Sequence, residues 1–190
     1  MKFRNTIITS AALLTLAACG GAKDTSPANT MTTAEAGDTN MVTAEPVAAS
    51  GAQAFSNAAA ASDTFEIETS RLALTNGSAA AVKSYANKMI EAHTASTAKL
   101  KTAAASASPA VTPDATLSVD QQQKLDALKA LNGTVFDKAY QTEQAAGHKQ
   151  MLDALKAYAA TGEAAPLKAF ANEMIPIVTA HINMVKSLKI

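Results

Sequence analysis

Three histidines carry most of the chemistry this chain could do. His93, His148 and His181 are its only ones, and each falls on an apolar helical stripe. His93 follows Met89 by four residues and precedes Leu100 by seven. His148 precedes Leu152 by four and Leu155 by seven, and His181 lies seven from both Met174 and Leu188. Spacings of three, four and seven share one face of an α-helix, so all three imidazoles are expected to point inward. Glu66, with Ser62 and Thr69 a turn away, falls at the edge of the inner face of its own helix. A buried polar group left without a partner costs several kcal/mol. Imidazole suits Zn, Cu, Ni and Fe(II), so Glu66, His93, His148 and His181 together would form a site for a divalent transition metal. Met89, Met151 and Met184 each lie within a turn of one histidine. They would add soft ligands suited to copper as Cu(I), although Met also commonly fills helical cores.

The alternative is structural. The histidines would then bond Asp137, Glu66, Tyr85 or Tyr140 and organise the core. In the metal reading Asp137 and Tyr140 become outer partners that orient the ligands. Asp137 also suits the first turn of its helix, where a negative charge is favourable. Eleven residues separate Asp137 from His148, about 16 Å along one helix. Ferritin-type di-iron chemistry is not expected, because it uses Glu-x-x-His and the residues three before the histidines are Ile90, Ala145 and Val178. There is no thiol beyond Cys19, no Gly-x-Ser-x-Gly elbow and no glycine-rich phosphate loop. A metal-dependent oxidoreductase is the least supported reading, and the residues leave enzymatic activity open.

The elements that must position these groups are helices. The composition is rich in Ala, with Leu, Lys, Met and Gln, all good helix formers. Large apolar residues recur with helical period only from Gln53 onward. A first helix is expected over about 53–75, ended by Asn76-Gly77, since both residues tolerate the left-handed conformation of a helix end. Ser78 can cap a second helix running to about Ala107. Ser108 to Asn132 is a connection with a short helix over about 119–131. After Asn132-Gly133, Thr134 can cap a third long helix to about Ala160. A fourth starts near Glu163, tolerates Pro166 in its first turn, and holds Pro176, which should kink it. Residues Val82–Ile90 repeat as Leu167–Ile175 with an offset of 85, which also carries Gly77 onto Gly162. Two similar hairpins joined by a long connection give an all-α, ferritin-like four-helix bundle. At 1.5 Å per residue, Glu66 and His93 lie about 14 and 21 Å from the first turn, and His148 and His181 about 18 and 25 Å from the second. If the connection crosses the full length of helices about 39 Å long, all four meet near mid-bundle.

The N-terminus suggests an address. Lys2 and Arg4 precede an uncharged apolar run from Thr6 to Ala18, too short to span a bilayer but right for a secretory signal. It ends in Leu16-Ala17-Ala18-Cys19, where small residues before a cysteine suit lipoprotein processing. Residues 1–18 read as a signal peptide, 19–52 as a lipid-attached disordered tether poor in large apolar residues, and 53–190 as the bundle. Gly20 after the cysteine favours the outer membrane. The full chain has 16 basic and 16 acidic residues and no Trp. Such a balance lacks the footprint of a nucleic-acid binder.

Several segments also carry a family resemblance: Glu66-Ile67-Glu68 with Leu72-Ala73; Tyr85 through His93; Gly133 through Tyr140 leading to His148; and Phe170-Ala171 with Ile175-Pro176 leading to His181. The helical part resembles a bacterial envelope family of unknown function, ferritin-like in fold and often labelled "predicted outer membrane protein". The family pattern usually has Asp before the second-helix histidine, where this chain has Ala92 preceded by Glu91. The resemblance implies the fold and an envelope address, and no reaction. The resulting expectation is a lipid-anchored structural or interaction bundle with an envelope protein partner. The alternative is a transition-metal protein for storage, buffering or sensing.

Overall fold

Alanine-rich segments with apolar residues every three or four positions form helices wherever a glycine or proline does not interrupt them. The computed structural model describes residues 51–190. The expected signal peptide, Cys19 and the tether up to residue 50 lie outside the described residues. Among those described, the helices are α1 (Gly51–Asn76), α2 (Ala80–Ala105), α3 (Val119–Lys129), α4 (Gly133–Thr161) and α5 (Ala165–Lys186). The four long helices match the expected ones to within two residues at most ends. The described residues hold helices and no strand. No helix among the described residues is long and apolar enough to cross a membrane.

Of the three glycine breaks, one takes the left-handed conformation and two form for another reason. Gly133 has φ +63° and is the only described glycine with positive φ. Gly77 and Gly162 are required by space instead. A Cβ on Gly77 would lie 2.6 Å from the Ala73 carbonyl oxygen and 2.9 Å from Asp137 Oδ1, and one on Gly162 would lie 2.6 Å from the Tyr158 carbonyl oxygen. Neither Ser78 nor Thr134 caps a helix. The N-cap positions are Ala79 for α2 and Asn132 for α4, both without a side-chain cap. Asp137 of α4 takes over at α2, accepting hydrogen bonds from the backbone of Ser78 and Ala79 and from the Ser78 hydroxyl. Pro166 sits in the first turn of α5, and the helix runs on through Pro176.

The helices form a square in which α1 neighbours α2 and α4, and α5 neighbours α2 and α4. Phe55 stacks on Tyr158 at 4.0 Å between ring centroids, while Ser70 bonds Tyr140. These contacts make α1 and α4 antiparallel. Lys99 pairs with Glu173 and His93 meets His181, so α2 and α5 are antiparallel too. The connection from Ser106 to Asn132 therefore returns along the bundle, with α3 packed on α1 and α4. The two hairpin turns lie at opposite ends. One apolar cluster, containing Phe55, Leu100, Tyr158 and Leu167, surrounds the second turn. The other, containing Ala73, Val82, Phe136 and Val185, surrounds the first. The internal repeat shows in the packing, since Val82, Tyr85, Ala86 and Met89 are buried, as are Leu167, Phe170, Ala171 and Met174. Between the two clusters lies a layer of buried polar side chains: Asp63, Glu66, His93, Gln144, His148 and His181.

Candidate metal centre

Each long helix contributes to this polar layer. Asp63 and Glu66 come from α1, His93 from α2, Gln144 and His148 from α4, and His181 from α5. The three imidazoles converge. His93 Nε2 lies 3.3 Å from His148 Nε2, which lies 3.2 Å from His181 Nδ1. All three ligand atoms fall within 4.8 Å of one another, and every ring is at most 5% exposed. The predicted mid-bundle meeting of the histidines is thus what the fold produces.

The outer nitrogens fix the protons. His93 Nδ1–H donates to Asp63 Oδ1 at 2.8 Å, and a carboxylate can only accept. His148 Nδ1–H donates to the Gln144 carbonyl at 2.7 Å. Both rings therefore turn Nε2 inward. Burial and the nearby His93 charge push His148 down to about 3 and His181 down to about 4, so both are neutral at neutral pH. Burial acts most strongly against the His93 cation, but the hydrogen bond to Asp63 and the nearby Glu66 and Asp63 charges together outweigh it and raise its pKa. Asp63 is held in turn by the Thr97 hydroxyl at 3.1 Å.

The pattern of a family described as a domain of unknown function, DUF4142, matches residues 37–188. The chain belongs to this family. The match takes in all five helices and the whole polar layer. No curated protein and no solved structure matches the chain.

The remaining candidates fall elsewhere. Glu66 is buried beside the cluster, with Oε1 at 3.8 Å from His148 Nδ1. That is the outward side of the ring, so Glu66 is not among the converging groups. Neither of its oxygens meets a donor at full hydrogen-bond geometry; the neighbouring Gln144 amide donates to Thr69 and also pulls the Glu66 pKa down. Burial pushes the Glu66 carboxyl up to about 7, against the pull of His93. Its space exists because residue 147 is glycine: a Cβ there would lie 2.8 Å from Glu66 Oε1. Asp137 sits at the first turn and Tyr140 bonds Ser70, so neither reaches a histidine as an outer partner. Met89 lies in the core cluster around Tyr85 and Tyr140, and Met184 packs against that cluster. Only Met151, of the three candidate thioethers, lines a cavity with His93.

Asp63 is the residue bonded to the cluster that the helical periodicity did not pick out. A signal for it was present: the repeat offset of 85 carries Asp63 onto His148. The two residues hold equivalent places in the two hairpins, and both serve the cluster.

Proposed function

We propose that the bundle holds one divalent transition-metal ion of the zinc or copper type between His93 Nε2, His148 Nε2 and His181 Nδ1. The observation that carries this reading is the convergence of the ring nitrogens, two of whose separations are 3.3 and 3.2 Å while all three atoms lie within 4.8 Å of one another. A tetrahedral ion with metal–nitrogen bonds of about 2.0–2.1 Å sets its ligand atoms roughly 3.3–3.4 Å apart. Asp63 and the Gln144 carbonyl act as the outer partners that such histidines use to fix their tautomer and raise their basicity. An all-nitrogen set favours these ions over Mg or Ca, which take oxygen ligands. Three protein ligands leave a fourth position for water or an exogenous ligand. Ion buffering, storage or sensing fits such a site.

The sequence before the bundle supports a lipid-anchored envelope protein, fixed through Cys19 at the outer membrane and facing the periplasm, with the residues between Cys19 and α1 as a tether. A partner-docking role has less support. Among the described residues, the large apolar side chains left exposed are Val119, Val135 and Ile190, which lie on three separate segments and form no strip along one helix.

Elemental mass spectrometry tests the metal reading on soluble protein starting at Gly20, purified without a His-tag or chelator. The wild type should carry about one ion per chain. A variant with His93→Ala, His148→Ala and His181→Ala should carry none while keeping its helicity. A wild type that takes up no Zn, Cu, Ni or Fe would sink the proposal. Asp63→Ala should retain the site but bind the ion about 10–100-fold more weakly in competition with a chelator. Unchanged affinity would remove Asp63 from the site.

A further inference from the structure

Two cavities flank the polar layer, and they share one residue. The larger is a cleft of about 370 Å³ between α1 and α4, roofed by the returning connection and bordered by Ala58, Ser62, Asp120, Lys124, Glu143 and Met151. Ala58 and Asp120 on its rim are exposed to solvent. The smaller, of about 10 Å³, is bordered by Asp63, His93, Met151 and Met174, and is about the size a single water needs. Met151 belongs to both walls and is only half-buried.

We infer that the metal ion reaches the three histidines through the α1–α4 cleft, with Met151 as the gate between the cleft and the inner cavity. This rests on the metal reading above. The cleft admits a hydrated cation, and its rim carries two carboxylates, Asp120 and Glu143, against the single ammonium of Lys124, which lies 2.9 and 3.7 Å from them. The inner cavity is too small for a hydrated ion, so the ion sheds its water on passing Met151. Methionine suits such a passage: it has three rotatable bonds, and its thioether is a soft ligand for the ions that imidazole also binds. His93, which borders the inner cavity and is held by Asp63, then receives the ion on the far side.

The test is the rate at which metal-free protein takes up Zn²⁺, followed by stopped flow against an indicator, beside the zinc content at equilibrium. Ala58→Trp fills the mouth of the cleft from an exposed position and should slow uptake about tenfold, the change that about 1.4 kcal/mol on the barrier produces. Met151→Ala should speed uptake by a similar factor. Ala95→Trp, at an exposed site on α2, should leave the rate unchanged. All three should still bind one zinc. Equal rates in every variant at one zinc per chain would overturn the route and leave the site standing, as would equal slowing by Ala95→Trp. A wild type without zinc at equilibrium would overturn both the route and the site.

Discussion

Asp137→Ala is expected to lose about 3 kcal/mol of folding stability. Asp137 is fully buried and serves two segments at once. Its Oδ1 accepts from Ser78 N at 3.1 Å, and its Oδ2 from Ala79 N at 2.9 Å and from the Ser78 hydroxyl. These donors lead into α2, whose first N–H groups have no partner within the helix and whose N-cap residue, Ala79, offers no side-chain acceptor. A carboxylate there also meets the positive end of the helix dipole. Removing it strands three donors on the exposed Ser78 and the half-buried Ala79, each costing about 1 kcal/mol, the low end for an unmet donor, because water reaches them in part. The loss should appear as a lower denaturant midpoint with an unchanged slope. A loss below about 1 kcal/mol would show that water replaces the carboxylate at little cost, and that the link between α4 and the first hairpin is weak.

Glu66→Gln is expected to stabilise the metal-free protein, and only at high pH. The Glu66 carboxyl ionises at about 7 in the folded chain against an ordinary 4.5. Above pH 7 the folded state therefore carries a buried charge that the unfolded state solvates freely. That gap corresponds to roughly 3 kcal/mol at 1.36 kcal/mol per pKa unit. Between 7 and 4.5 the folded chain takes up a proton that the unfolded chain does not, so the penalty fades as pH falls and is gone below 4.5. The gain from Glu66→Gln should thus be largest near pH 8 and shrink toward pH 4.5. His148 and His181 act in the opposite direction. Held down to about 3 and 4 against an ordinary 6.5, they stay neutral while the unfolded chain takes up protons, so stability falls as pH drops below 6.5. In the wild type, proton uptake by Glu66 offsets part of that loss. The variant lacks the offset and should lose stability more steeply on acidification. Denaturant unfolding at pH 8, 6 and 5 checks this, and a gain independent of pH would contradict it.

Much of this arrangement is legible in the sequence because helices convert spacing into geometry. The 3.6-residue period places His93, His148 and His181 on inward faces. The break at Gly77 and its counterpart at Gly162, combined with a crossover long enough to return, set the three at one depth. Asp63 is not legible in the periodicity for a physical reason. The inner face of α1 near the site is small and polar, with Ser56, Ala59, Asp63, Glu66, Ser70 and Ala73 all buried, so no stripe of large apolar side chains marks it. Glu66 was placed at the right depth, but depth does not say which edge of an imidazole a carboxylate meets. It lies by Nδ1 of His148, on the side away from the converging nitrogens. Ser78 and Thr134 have local capping chemistry, but the group that satisfies α2 comes from α4, 59 residues away in sequence. Local patterns do not encode such a long-range contact.

A buried carboxyl kept beside the cluster at a cost to stability fits a functional centre better than a packing core. The most direct test is X-ray absorption at the metal edge of protein loaded with one equivalent of zinc. The predicted first coordination sphere holds three imidazole nitrogens at about 2.0–2.1 Å, with one further light atom in the fourth position. A sphere made of oxygen alone, a sulfur ligand at about 2.3 Å, or a spectrum unchanged when His93, His148 and His181 are all replaced by alanine would contradict the three-histidine centre.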